Sequence, residues 1–198
     1  MRPNPSIERH APGKTGHASH VNVRLLNMNQ WHVATAAEAI AAAQFARCGW
    51  DVSVQYGANQ PEYDLIVAKR PYMLKVSVKG SQDGGWGLTQ SHMKDGDYHR
   101  AIEVWLERHG EDTVLCFVQF KSASLAEMPR VYLARPVEVA QRLKLAAKGR
   151  GDTILKEKHT WTARAYAAGT VEEIPPSWNF SPERILELVT DTAAIQPA

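Results

Sequence analysis

The segment from Met73 to Lys79 constrains the fold more than any other feature of this chain. Successive side chains of an extended strand point to opposite faces. One face of this segment is therefore apolar, with Leu74, Val76 and Val78. The opposite face holds Met73, Lys75, Ser77 and Lys79. The alternation predicts a β-strand with one face in a hydrophobic core and the other available for chemistry.

A single carboxylate, Asp64, lies in the apolar segment 63–67, which we interpret as the preceding strand. Burying a charged carboxylate is costly unless it meets a cation, a hydrogen-bond donor or a metal ion. Lys79 or a divalent ion would be a suitable partner. As an isolated observation, an aspartate on a strand is also compatible with a purely structural role.

Upstream, residues 33–48 have apolar side chains at helical spacing, with Thr35 or a neighbour as the N-cap and Gly49 placed to end the helix. Glu38 lies beside this apolar stripe. We therefore expect Glu38 to border a cleft between the helix and the sheet, where a second carboxylate would serve a metal site. A solvated glutamate on the helix surface is the alternative.

This order of elements, with a strand after Gly49 and a later strand ending in Ser77-Val78-Lys79, resembles the PD-(D/E)XK nuclease superfamily over about residues 30–145. Its small stand-alone endonucleases and resolvase-like proteins are the most similar branch. The resemblance implies an α/β, restriction-endonuclease-like fold: a mixed β-sheet flanked by helices, with an αβββαβ core. Asp64 then corresponds to the motif aspartate, Lys79 to the motif lysine and Glu38 to the acidic residue of the first helix.

Ser77 departs from that pattern, because the superfamily usually has Asp, Glu or Gln there. By resemblance, Glu38, Asp64 and the Val78 carbonyl would hold Mg²⁺ or Mn²⁺, which prefer hard oxygen ligands. Ser77 would act directly or through water. Lys79 would orient or deprotonate the nucleophile, or stabilise charge at the scissile phosphate.

Further residues are candidates for DNA contacts. On the strand face of Lys79, Lys75 would contact a phosphate, and Ser81 and Gln90 lie in or near a glycine-rich loop that follows. The segment after the third predicted helix is basic and contains two glycines, which suggests a mobile DNA-binding loop. Its candidates are Lys148, Arg150, Lys156 and Lys158. A bare surface connection and a solvated run of charges are the alternatives.

Periodicity predicts helices over 97–109, 136–147 and 182–190, and strands over 113–120 and 131–134. We expect a flexible N-terminal arm over 1–22 and a nuclease-like domain over 23–147. Residues 148–198 should form a basic loop and a C-terminal helical extension that packs on the same domain.

Composition is typical of a small soluble protein, because 198 residues with 44% hydrophobic content suffice for one core. Two cysteines in predicted core elements, Cys48 and Cys116, favour a reducing compartment, the cytoplasm. No signal peptide or membrane-spanning run is present in the sequence. Phosphate-loop, zinc-pair and nucleophile-elbow motifs are absent as well, so ATP hydrolysis and serine-type catalysis have no support.

These features predict a divalent-metal-dependent DNA endonuclease. We expect a homo-oligomer, a dimer or higher, because cutting two strands with one site per chain favours a symmetric pair. The alternative is a catalytically inactive nuclease-fold protein that binds nucleic acid or another protein. Ser77 separates the two hypotheses. A structural assembly protein with the same fold is a third option, without positive support in the sequence.

Overall fold

The computed structural model of the protein describes residues 28–55, 62–110 and 112–195, with the backbone alone over 191–195. The predicted arm over 1–22 lies outside these residues. In chain order the elements are α1 (Gln30–Arg47), β1 (Asp51–Val54), β2 (Leu65–Lys69), β3 (Tyr72–Ser81), β4 (Gly85–Gly87), α2 (Tyr98–Leu106), β5 (Thr113–Gln119), β6 (Arg130–Ala134), α3 (Pro136–Gly149), β7 (Ile154–Lys156), β8 (Lys158–Thr160), β9 (Val171–Glu173) and α4 (Pro182–Ile195).

Five of the strands form a mixed sheet in the order β1-β2-β3-β5-β6. The central pair, β3 and β5, is parallel, and the outer pairs are antiparallel. The long connection between the parallel strands contains α2, as a crossover between parallel strands requires. The predicted fold class, a mixed α/β architecture with a sheet flanked by helices, is confirmed. The predicted αβββαβ order is also present, with the short β4 inserted before α2.

Both faces of the sheet are covered by helices. On one face, apolar residues of α1 and α4 pack on the side chains of β2, β3 and β5 that include Leu74, Val76 and Val78. On the other face, residues of α2 and α3 pack on the alternate side chains of β5 and β6. All seven residues of β5 are buried, as expected for a central strand covered on both sides. The face of β3 that bears Ser77 is therefore only partly open.

The sequence of the first helix determines where it begins and ends. Asn29 is the N-cap, because its side-chain oxygen accepts a hydrogen bond from the His32 backbone N–H at 3.0 Å. The helix thus begins at Gln30, ahead of the predicted start near Thr35. Gly49, in the left-handed region with φ +76°, ends it. The long alanine run between these ends favours the helix.

The segment after α3 differs from the mobile loop that the sequence suggests. Gly151, Asp152 and Thr153 are buried, and β7 and β8 follow directly. The antiparallel pairing of β4 with β7 joins this segment to the glycine-rich loop, with Gly85 opposite Lys156. A second small sheet joins β8 to β9. Pairing with distant strands orders the segment, because its backbone groups find partners that local sequence does not reveal.

Two further observations concern membrane-spanning helices and the two cysteines. Within the described part of the chain, no helix combines the length and the apolar character needed to span a bilayer. Both cysteines are free thiols, Cys116 buried in the sheet and Cys48 partly buried at the end of α1.

Candidate active site

Three of the residues singled out in the sequence, Glu38, Asp64 and Lys79, line one cleft of about 520 Å³ together with Val78. The cleft lies between the first half of α1, the residue that precedes β2 and the end of β3. Ser81 and Asp83 also line it. The structure therefore brings together a helix residue, the residue before β2 and a strand residue, although 41 positions separate Glu38 from Lys79 in the sequence.

Asp64 precedes β2 rather than lying within it. Its backbone is paired on both sides, since its N–H donates to the Val76 carbonyl at 2.8 Å and its carbonyl accepts from the Gln55 N–H at 2.9 Å. The side-chain Oδ2 accepts a hydrogen bond from the Val78 backbone N–H at 2.6 Å. This charge-assisted bond fixes the carboxylate against β3. Its other oxygen, Oδ1, is left for a ligand or solvent.

The electrostatics of Glu38 show that the charged groups of the cleft interact. Burial raises the pKa of the Glu38 carboxyl above its ordinary value, and the negative charge of Asp64 raises it further. The positive charge of Lys79 acts in the opposite direction. Two carboxylates that disfavour each other's charge are a typical arrangement for binding a cation.

Lys79 is available for a ligand. Within the described residues, its ammonium group forms no ion pair, whereas Lys75 on the same strand face is 2.8 Å from Asp112 Oδ2. The hydrogen bond to Asp112 and the charge of Asp112 raise the pKa of Lys75, although burial acts to lower it. The Lys79 carbonyl accepts a hydrogen bond from Trp86 Nε1 at 2.9 Å, which anchors the end of the strand. The Lys79 side chain thus extends from a fixed backbone.

Ser77 is only 2% exposed and does not line the cleft that contains Glu38. It lines a second cleft of about 420 Å³ that shares Asp64 and Lys79 with the first. A serine hydroxyl is a hydrogen-bonding group without negative charge. It therefore adds nothing to the charge of a metal site.

The donor set fits a divalent metal of the hard class, although it is small. Among the residues that the structure describes, no group of three or more His, Cys, Asp and Glu side chains is arranged to hold a metal ion. Mg²⁺ usually keeps several waters and binds through one or two carboxylates. Glu38 and Asp64 supply two carboxylates whose mutual repulsion a cation would relieve, and Val78 lines the same cleft.

Of the candidate DNA-contacting residues, Ser81 lies in the cleft, but it is buried and its hydroxyl donates to Asp83 Oδ1 at 2.9 Å. Lys156 lies near the rim, because it pairs in register with Gly85, which lines the cleft. Its ammonium is 2.7 Å from Asp152 Oδ2.

The remaining candidates line neither cleft. Gln90 is exposed on a short 3₁₀ helix, and Lys148 is exposed near the end of α3. Arg150 stacks over the rings of Tyr98 and Tyr166, at 5.3 and 5.6 Å from their centroids. Lys158 is 3.4 Å from Glu173 Oε1. None of these four residues is therefore part of the cleft.

Sequence reasoning missed two residues that follow α2. Arg108 and His109 line the second cleft beside Asp64 and Lys79. Spacing along the chain contains no signal for them, because their position depends on how α2 packs against the sheet.

Comparisons with known proteins add a distant structural likeness. No protein-family model matches this sequence, and no curated protein gives a significant match. A solved structure of a bacterial homing endonuclease, I-Ssp6803I, is similar, with a TM-score of 0.47 and 15% sequence identity. The similarity covers 85% of this chain and 99% of that one. A likeness this distant says nothing about function.

Proposed function

We propose that the protein is a divalent-metal-dependent endonuclease that hydrolyses phosphodiester bonds of DNA. The observation that carries the proposal is the convergence of Glu38, Asp64 and Lys79 on one cleft. Two carboxylates and a lysine without an ion-pair partner among the described residues are the groups that this reaction requires. The order of the three on a helix and two successive strands is similar to that of the PD-(D/E)XK superfamily.

In this proposal each side chain has one task. Glu38 and Asp64 would hold Mg²⁺ or Mn²⁺, with the Val78 carbonyl as a further ligand. The bound ion would supply an activated water and neutralise charge on the phosphoryl group. Lys79 binds a non-bridging oxygen of the scissile phosphate and stabilises the negative charge that develops there. Ser77, directly or through water, hydrogen-bonds at the edge of the site.

The electrostatic surroundings favour a polyanionic substrate. Lys156 pairs with Gly85 at the rim of the cleft, and Lys121 Nζ lies beside Gly84. Both glycines belong to the glycine-rich loop. Lys148, Arg150 and Lys158 extend the positive surface, and Lys75 lies on the strand face of Lys79. Phosphate contacts of this kind supply affinity without sequence specificity. We further propose that the enzyme acts as a homo-oligomer, so that two sites cut the two strands, and that it works in the cytoplasm.

The test is a cleavage assay on supercoiled, linear, single-stranded and branched DNA with Mg²⁺ or Mn²⁺. We expect Asp64→Asn and Lys79→Ala to lose cleavage by roughly 100-fold or more. Asparagine keeps an oxygen that accepts the hydrogen bond from the Val78 N–H, so the fold should survive. Matched controls are Asp51→Asn and Lys69→Ala, two exposed residues outside both clefts. Cleavage that persists in both site variants would refute the proposal.

A second candidate function is a catalytically silent DNA-binding protein, and the uncharged Ser77 favours it. This candidate predicts no cleavage of any substrate, together with DNA binding that Asp64→Asn leaves unchanged. Binding measured by fluorescence anisotropy, with and without the metal, distinguishes it from the endonuclease. An active enzyme would bind DNA more tightly in the presence of the metal, and Asp64→Asn would abolish that difference.

A further inference from the structure

The second cleft lies directly beside the candidate active site and has no role so far. It shares Asp64 and Lys79 with the first cleft, and its remaining wall includes Ser77 and His109, which follows α2. Glu62, His92 and Arg108 are the other charged or titratable residues that line it. His109 therefore lines the same cleft as the Asp64–Lys79 pair.

The His109 ring is held in one orientation. Its Nδ1 lies 2.9 Å from the backbone carbonyl of Trp105, and its ring packs on the Trp105 ring with centroids 4.4 Å apart. A carbonyl oxygen only accepts hydrogen bonds, so Nδ1 must carry the proton. In the neutral imidazole, Nε2 is then a hydrogen-bond acceptor. No described residue hydrogen-bonds to it.

The surroundings also favour the neutral ring. Burial lowers the pKa of His109 below its ordinary value, and the charge of Lys79 lowers it further. The bond to Trp105 and the charge of Glu62 act in the opposite direction without cancelling the effect. A half-buried, oriented acceptor therefore stands beside Lys79, on the side of the site where Ser77 provides no negative charge.

We propose that His109 is a further catalytic residue, whose Nε2 accepts a hydrogen bond from the water that attacks the scissile phosphate. The inference rests on the proposed endonuclease function and deepens it. By accepting a water O–H, the imidazole turns a lone pair of the water oxygen toward phosphorus. As the bond from that oxygen to phosphorus forms and the bond from phosphorus to the leaving sugar oxygen breaks, the attacking water gives a proton to solvent and the leaving oxygen takes one from solvent. Ser77, in the same cleft, is uncharged.

Two substitutions separate this role from a structural one. His109→Asn retains an amide group where Nδ1 lies, and so keeps the bond to Trp105, but it removes the acceptor at Nε2. His109→Gln places an amide oxygen near Nε2 and loses the bond to Trp105. His99→Gln is the matched control, because His99 also bonds a backbone carbonyl, that of Gly149 at 2.9 Å, but lines neither cleft.

We expect His109→Asn to lower the cleavage rate about 100-fold, the scale of a misplaced reactant, with the unfolding midpoint of the wild type. His109→Gln should retain most of the cleavage activity, and His99→Gln all of it. Full activity of His109→Asn, or equal loss in both His109 variants, would overturn the inference while leaving the endonuclease proposal intact. A wild type that cleaves no substrate would overturn both.

A measurement without DNA tests the same inference. The ¹⁵N chemical shifts of the His109 ring should show a proton on Nδ1 and a lone pair on Nε2 near neutral pH. A ring that carries its proton on Nε2 in the neutral form would overturn the inference, because that nitrogen would then be a donor and unable to accept a hydrogen bond from water.

Discussion

Helix α1 approaches the sheet closely at Gly80, and Gly80→Ala tests whether this approach positions the site. A Cβ atom at position 80 would lie 2.8 Å from Val33 Cγ1, 2.8 Å from the Val33 carbonyl oxygen and 2.9 Å from Ala37 Cβ. Carbon atoms in ordinary contact are about 3.5–4.0 Å apart. The Val33 carbonyl belongs to the helix backbone and cannot rotate away. Helix α1 must therefore move by roughly 1 Å.

The expected loss of stability follows from two opposing terms. Overpacking of this kind costs about 1–3 kcal/mol. The alanine also restricts the unfolded chain, which stabilises the fold by about 0.4–1 kcal/mol. We expect the free energy of unfolding to fall by roughly 1–2 kcal/mol, and Tm by about 2–8 °C for a chain of this length.

The effect on activity should be larger than the effect on stability. Glu38 follows Ala37 on the same helix, so a shift of α1 moves the Glu38 carboxylate relative to Asp64 and Lys79. Misplacing a reacting group by about 1 Å costs about 100-fold in rate. Cleavage should therefore fall about 100-fold at temperatures where Gly80→Ala remains folded.

The assay combines thermal unfolding by circular dichroism with cleavage measured well below Tm. Gly110→Ala is the control, because its nearest contact would be the end of a flexible side chain, Asp112 Oδ1 at 2.9 Å, which can shift by a few tenths of an ångström while Oδ2 keeps its ion pair with Lys75. That variant should unfold within about 1 kcal/mol of the wild type. Wild-type stability and cleavage in Gly80→Ala would refute the argument that this contact positions Glu38.

Three further predictions concern charged groups. Burial and the charge of Asp64 raise the pKa of Glu38, so the ionised form of Glu38 destabilises the fold above the ordinary pKa. Glu38→Gln should therefore raise stability to urea at pH 7, and the gain should disappear as the pH falls below the ordinary pKa of a glutamate. The same variant should lose cleavage. Burial raises the pKa of Glu157, but hydrogen bonds from Arg130 and a neighbouring tyrosine outweigh it and lower the pKa overall. The ionised Glu157 therefore stabilises the fold above its ordinary pKa, and this stabilisation is lost as the pH falls through the folded-state pKa. Glu157→Gln should lower the free energy of unfolding by about 1–3 kcal/mol at pH 7 and by little in strong acid. Thermal unfolding measured against pH tests this. Lys148→Ala should reduce the slope of log K against log salt for DNA binding by about 1, and an unchanged slope would exclude a phosphate contact there.

The long elements could be predicted from the sequence because their periodicity is strong. The alternation around Leu74, Val76 and Val78 predicted β3, and all three side chains are buried against α1 and α4. The four strands β4, β7, β8 and β9 were missed. Each has three residues, too few to show an alternation, and β4 and β7 pair across more than sixty intervening positions.

The convergence of Glu38, Asp64 and Lys79 on one cleft could be predicted for the same reason. Glu38, Asp64 and Lys79 were identified because each lies on or next to an element with a clear pattern, and the order of those elements fixes which edge of the sheet they share. His109 was not identified as a site residue. It follows α2, and only the packing of α2 against the sheet brings it to Asp64 and Lys79. A periodic pattern predicts which face of an element is buried, but not what lies opposite that face.

The charges of the cleft lead to a coupling between metal and DNA. Glu38, Asp64 and Asp83 are acidic and Lys79 is the one basic residue among the described residues that line it, whereas Lys156, near the rim, forms an ion pair with Asp152. A phosphate that enters the cleft without a cation would meet net negative charge. A divalent ion would neutralise that charge, so it should raise the affinity of the cleft for DNA. By linkage, DNA must raise the affinity for the ion by the same factor. In the proposed enzyme, the acidic cleft would therefore bind the ion and the scissile phosphate cooperatively.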